Sequence, residues 1–219
     1  MTQPPACFDP DPASADPRMK FSQACQRNRA PILAVLQREL PKTGLMLEIG
    51  AGTGQHAAYF APHFPGLTWQ PTDIDVAGHA SISAWAQASR KKTGATNICP
   101  PLALDVTAKD WQPSNAACVM SANMLHIAPW ECCLGLMAGA GITLIENGVL
   151  ALYGPFKQDG AHTADSNASF DVSLRARDPA WGIRDLEAVI DSAAAQGLAQ
   201  QKTISMPANN LMLIFRRQG

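Results

Sequence analysis

The chain has 219 residues, 47% of them hydrophobic and 16% charged, which suits one globular domain with a full core. A net charge of −1, a pI near 6.5 and no basic stripe remove electrostatic support for a nucleic-acid partner. No basic, then apolar leader opens the sequence, and residues 132–145 are too few and too glycine-rich to span a bilayer, so a soluble, cytoplasmic protein with no membrane partner is expected.

Residues 1–20 carry Pro4, Pro5, Pro10, Pro12 and Pro17 and read as an irregular arm. Residues 21–219 read as a single domain without internal repeats. An apolar helical stripe of Ile32, Leu33, Leu36 and Leu40 follows Pro31, which suits a first helical turn. Pro41 and Gly44 end that helix. The period then changes. Residues 45–49 are short, apolar and followed by glycines, as in a buried strand. A helix from Gln55 would place Ala57, Phe60, Ala61 and Phe64 on one face. Residues 67–70 form a second strand, 81–89 a helix, 102–104 a third strand and 116–121 a fourth. Pro129 opens a helix through Leu134 and Met137, and 149–153 form a fifth strand.

Residues 154–182 are polar and lack clear periodicity, which reads as a long loop, functional or locally disordered. Leu186, Val189, Ile190, Ala193 and Ala194 then share a helical face, with Gly197 as the stop. Two β-like runs, 203–206 and 211–215, flank turn residues Pro207, Ala208, Asn209 and Asn210. Strands alternating with helices imply an α/β, Rossmann-like fold: a mostly parallel, seven-stranded sheet, helices on both faces and a C-terminal antiparallel hairpin. The six cysteines (Cys7, Cys25, Cys99, Cys118, Cys132 and Cys133) form no CxxC pair and have no metal-ligand spacing. They read as mostly buried thiols in a reducing compartment, and no metal is expected.

In such folds ligands sit at the carboxyl ends of the strands, so the turn after the first strand is the default site. Gly50, Gly52 and Gly54 let the backbone bend tightly and approach a ligand. A nicotinamide fingerprint, GxGxxG, needs its third glycine where Gln55 stands. The GxGxG spacing preceded by Glu48 instead resembles motif I of class I methyltransferases, which bind S-adenosylmethionine (SAM). There the acidic strand residue helps order the loop beneath the amino-acid moiety. Asp73, about 20 residues on, is placed to accept both ribose hydroxyls, with Asp75 as a competitor. Asp105 follows the third strand, where such enzymes often hold the adenine amino group; a helix N-cap is the alternative.

The fourth strand runs into Asn123 and His126. Asn123 can bond the methionine moiety or the acceptor, and His126 can act as general base. Within residues 153–184, Tyr153, Asn167, Arg175 and Trp181 are candidates to wall an acceptor pocket, and Arg175 or Arg177 can hold a carboxylate or phosphate. Methyl transfer itself depends largely on alignment and exclusion of water.

Longer stretches also match a known pattern. They include Arg27-Asn28, Gly52-Thr53-Gly54-Gln55-His56, Trp69-Gln70-Pro71, Leu104-Asp105-Val106, Asn123-Met124 with His126-Ile127, Tyr153-Gly154-Pro155-Phe156, Ser166-Asn167, Trp181-Gly182-Ile183-Arg184-Asp185 and Met206-Pro207-Ala208-Asn209-Asn210. With these, the chain from Phe21 to Arg217 resembles the methyltransferase-like protein 26 family. The resemblance implies the class I methyltransferase fold, SAM as cofactor and a small-molecule acceptor of unspecified identity. It also implies that Arg27, Asn28 and the surroundings of Asn167 belong to the site. Gly50 stands where a small residue such as Ala is expected in relatives. A non-catalytic SAM-binding or protein-interaction module on the same fold is the alternative reading.

Overall fold

The computed structural model describes Phe8 and residues 16–219. Cys7 and the prolines at 4, 5, 10 and 12, on which the irregular arm was expected, lie outside the described residues. The chain divides into two compact units between Leu104 and Asp105.

The first unit begins with helix α1 (Gln23–Glu39), where the Ser22 hydroxyl caps the Cys25 N–H at 3.4 Å. Pro31 therefore lies inside α1, not in its first turn. Ser22 supplies the start signal nearly three turns before the apolar stripe begins at Ile32, so the stripe marks only the C-terminal part of the helix. Leu40 turns extended ahead of Pro41, which stops the helix as its ring requires. Strand β1 (Gly44–Ile49) pairs in parallel with β2 (Leu67–Thr72), in register from Gly44 opposite Leu67 to Ile49 opposite Thr72. Between them runs α2 (Gln55–Phe60), continued by a 3-10 turn at Ala61–His63. Every residue of α2 is buried, not one face alone, because it packs against both α1 and α3 (His79–Thr93).

The expected third strand at 102–104 does not form. Residues 97–102 follow β2 only through isolated parallel bridges, Ile98 to Trp69 and Leu102 to Thr72. Pro100 and Pro101 lack the N–H groups a continuous ladder needs. The expected count of seven strands in one sheet included this segment.

The second unit holds β3 (Ala116–Ala122), α4 (Trp130–Thr143), with Pro129 as its N-cap, and β4 (Leu144–Gly154). β3 and β4 pair in parallel. A small side sheet has β5 (Phe156–Gln158) between β6 (Ala161–His162) and β7 (Arg184–Asp185). Helix α5 (Asp165–Arg177) precedes β7, and α6 (Leu186–Ala194) follows it. β8 (Leu198–Met206) and β9 (Asn210–Arg217) close the chain as an antiparallel pair, with β9 also antiparallel to β4. Ala208 and Asn209 both sit at φ 57°, the left-handed geometry of a tight hairpin turn.

Helix α5 corrects the reading of 154–182 as a loop. Its buried side chains are Asn167, Asp171 and Leu174, at helical spacing, while Phe170 and Val172 are exposed. A helix whose inward face is polar carries no apolar stripe, so hydrophobic periodicity cannot reveal it. Among the described residues no helix is long and apolar enough to cross a membrane. None of their His, Cys, Asp and Glu side chains gather in threes as metal ligands would.

Candidate functional site

In the first unit the turn after β1 is drawn into a tight arc. Gly50, Gly52 and Gly54 have φ values of 68°, 56° and 87°, a region costly for other residues. The Ala51 N–H donates to the Thr72 carbonyl at 2.9 Å, which fastens the arc to the end of β2. At Gly54 a β-carbon would meet the Ile82 Cα of α3 at 2.5 Å, so this glycine also permits close packing. At Gly52 a β-carbon would meet nothing nearer than the Gly50 carbonyl oxygen at 4.0 Å, so this part of the turn opens on free space.

Asp73 stands beside that opening. One of its oxygens accepts the Gly52 N–H at 2.8 Å and the other accepts the Asp75 N–H at 2.9 Å. Each carboxylate oxygen has a further lone pair for a ligand hydroxyl. The competitor Asp75 is used locally, capping Ala77 N–H at 3.0 Å in the 3-10 turn Val76–Gly78.

Glu48 is buried under β2, and its Oε2 accepts the Trp69 indole N–H at 2.6 Å. Burial pushes its carboxyl up to about 7, opposed by the Trp69 bond and aided by the negative charge of Asp73. Such a carboxyl binds its proton more tightly in the folded state than in the unfolded chain. Its contribution to stability is full below about 4.5 and falls away as pH rises to about 7. Glu48→Gln is therefore expected to be the more stable protein at pH 8 but not at pH 4.5. Urea unfolding across that range measures it; an unchanged pH slope contradicts the assignment.

Arg27 and Asn28 lie apart in role. Arg27 is exposed on α1, whereas Asn28 is buried with its Oδ1 2.8 Å from His56 Nε2. Burial and the Arg29 charge lower His56 to about 4, so the ring is neutral and donates to Asn28. Sequence reasoning quoted Gln55, His56 and Trp69 in the matched stretches but gave them no role in the site. Each has a polar partner distant in sequence: Ser22 for Gln55, Asn28 for His56 and Glu48 for Trp69.

In the second unit, Asp105 Oδ1 accepts both the Thr107 N–H at 2.8 Å and its hydroxyl at 2.7 Å, which lowers the carboxyl pKa. The residue closes a turn and remains exposed. Asn123 ends β3 at φ 64°, its N–H donating to the Tyr153 carbonyl at 2.8 Å. It starts the 3-10 turn Met124–His126. His126 is 1% exposed, and neither ring nitrogen has a hydrogen-bond partner among the described residues. Its ring meets Phe156 edge-on at 5.1 Å, and a β-carbon on Gly154 would lie 2.2 Å from its Nε2. Burial, then the Arg184 charge, push the imidazole down to about 3 against weaker pulls from the Gly182 backbone and Asp171. At neutral pH this ring is uncharged, with one donor and one acceptor nitrogen. Asn123, His126 and buried Tyr153 thus come together at the ends of β3 and β4.

The other acceptor-side candidates each have a partner within the second unit. Arg175 Nε donates to Asp171 at 3.1 Å, one turn away on α5. The same carboxylate accepts the Ile183 N–H at 2.6 Å and faces Lys157 at 3.8 Å and His162 at 3.4 Å. Asn167 is buried, and its amide donates to Thr163 Oγ1 at 3.1 Å and to the Asn209 carbonyl at 3.0 Å, tying α5 to the hairpin turn. Trp181 lies under the Arg177 guanidinium at 5.0 Å. Arg184, absent from the sequence candidates, clamps the loop around His126. It donates to the carbonyls of Leu125 at 2.9 Å, Ala128 at 2.5 Å and Ala180 at 2.9 Å. A lone arginine carries no sequence signal for such a role.

Comparison with solved structures places the fold. An O-methyltransferase family 2 protein from Planctomyces limnophilus, in complex with apigenin, aligns with a TM-score of 0.74 at 17% identity, over 89% of this chain and 58% of that one. An O-methyltransferase family protein from Burkholderia thailandensis gives 0.73 at 17% identity, over 90% and 58%. Human N-acetylserotonin methyltransferase in complex with SAM gives 0.71 at 15% identity, over 90% and 53%. The chain therefore spans a little over half the length of these proteins and shares the class I methyltransferase fold, α/β with a mainly parallel sheet. A family described as "Protein of unknown function (DUF938)" matches residues 19–217, and the chain belongs to that family.

Proposed function

We propose that the protein is a SAM-dependent methyltransferase acting on a small-molecule acceptor. The observation that carries this reading is the glycine turn of a methyltransferase fold with the Asp73 carboxylate anchored on the Gly52 N–H. The residues present suit SAM. The turn opens on free space at Gly52, and Asp73 presents acceptors to ribose hydroxyls. Glu48, Gly50, Gly52, Gly54 and Asp73 would bind SAM on the first unit, with Arg27 and Asn28 supporting them. Asp105 would take the adenine amino group by its place in the strand order, and Asn123 the methionine moiety.

SAM supplies a methyl group made electrophilic by its sulfonium. The protein's share is then alignment and exclusion of water. Asn123 and His126 would orient the acceptor, with His126 as a neutral hydrogen-bonding group or proton acceptor. Tyr153, Asn167, Arg175 and Trp181 would shape the acceptor's surroundings. This reading includes a single domain over residues 21–219, supported by the family match over 19–217. It also includes a seven-stranded sheet with a closing hairpin, counting the bridged 97–102 segment, membership of the methyltransferase-like protein 26 family, and cytoplasmic action.

Calorimetric titration with SAM tests the first step. Wild type is expected to bind, and Asp73→Ala to bind at least about tenfold more weakly, the usual cost of losing hydrogen bonds to a charged group. No binding at millimolar SAM sinks the reading. Conversion of SAM to S-adenosylhomocysteine with a metabolite extract then separates an enzyme from a binding module.

A further inference from the structure

Gln55 opens α2 and is 2% exposed. Its Oε1 accepts the Ser22 N–H at 2.5 Å and the Thr53 hydroxyl at 3.0 Å. The Ser22 bond fixes the orientation of the amide, because a flip would set Nε2 against the Ser22 N–H. Nε2 is left buried with no partner among the described residues. A buried amide donor without an acceptor is rare in folded proteins and costly. Thr53 belongs to the glycine turn itself, so the amide is held against that turn.

We propose that the Gln55 side-chain amide holds the α-carboxylate of SAM, an assignment that rests on the SAM reading above. Three kinds of acceptor occur on that ligand: adenine nitrogens, ribose oxygens and one carboxylate. Asp73 offers only acceptors and so suits the ribose hydroxyls, which can donate. The carboxylate is the only anion of the three, and a charge-assisted bond is the strongest partner for a desolvated N–H. The same amide also bonds Ser22, the cap of α1. It therefore links the methionine end of the ligand to the first helix.

Calorimetry with three ligands tests this: SAM, decarboxylated SAM and 5′-methylthioadenosine. Methylthioadenosine keeps the adenosine and sulfur but lacks the amino-acid chain. Wild type is expected to hold decarboxylated SAM at least about tenfold more weakly than SAM. Gln55→Glu keeps Oε1 for Ser22 and replaces the donor with an anion. It is expected to weaken SAM at least about tenfold and to leave methylthioadenosine within about twofold. Equal weakening of SAM and methylthioadenosine by Gln55→Glu overturns the assignment. So does equal affinity of wild type for SAM and its decarboxylated form, a comparison that needs no variant. Wild type that binds no SAM overturns the functional reading together with this one. SAM bound without dependence on its carboxylate overturns this one alone.

Discussion

Gly54→Ala is expected to destabilise the protein by about 3 kcal/mol and to lower its affinity for SAM. The new β-carbon would lie 2.5 Å from the Ile82 Cα and 3.2 Å from its Cβ, so α3 itself must retreat. Overpacking of that kind costs roughly 1–3 kcal/mol, and the left-handed backbone adds about 1 kcal/mol more. Gly52→Ala isolates the second cost. Its φ is also positive, at 56°, but its β-carbon has open space. About 1 kcal/mol is expected there. Urea unfolding of both variants checks the difference. Equal losses contradict the claim that Gly54 is required for packing as well as for conformation.

Asp171→Ala is expected to cost about 3 kcal/mol or more, the usual result of removing one member of a buried charged network. The side chain is 8% exposed and holds the Ile183 N–H, Arg175, Lys157 and His162 around one carboxylate. These partners come from α5, from β5 and β6, and from the segment before β7, so their loss loosens the whole side sheet. Arg175→Ala is expected to cost under about 1 kcal/mol, because that side chain is 49% exposed and its ion pair is screened. The bonds from Ile183 and Arg175 and the nearby charges outweigh burial and lower the Asp171 pKa. Its contribution is thus present above the ordinary carboxyl value of 3.8 and is lost as pH falls below it. Unfolding at neutral pH and near pH 3 measures both effects. An Asp171→Ala cost no larger than that of Arg175→Ala at neutral pH contradicts the network.

Much of the fold was legible because its buried strands are apolar and short. Residues 45–49, 67–70 and 116–121 all fall within observed strands, and Gly197 follows α6 as its period suggested. Position-specific chemistry misled at two points. Pro31 resembles a helix start, yet the Ser22 cap lies earlier. Residues 102–104 resemble a strand, yet two prolines just ahead deprive the ladder of donors. Helix α5 was hidden for a different reason, since its buried face is Asn167, Asp171 and Leu174. Polar residues are buried only when their partners arrive, and those partners, Asn209 and Ile183, lie 42 and 12 residues away.

The candidate site divides in the same way. Glycine spacing and an acidic residue after the second strand are local properties, because a sharp turn needs positive φ wherever it occurs. The sequence by itself therefore pointed to the glycine turn, Glu48 before it and an acidic residue after the second strand, Asp73 with Asp75 as its competitor; the bond from the Gly52 N–H to Asp73 came only with the fold. Only the tertiary structure decided the states of the side chains. Burial holds Glu48 near 7 and His126 near 3, Asp171 pairs with Arg175 along α5, and Gln55 keeps a donor without a partner among the described residues. Those outcomes depend on desolvation and on which groups meet across long stretches of chain. Neither quantity is written in the order of residues along it.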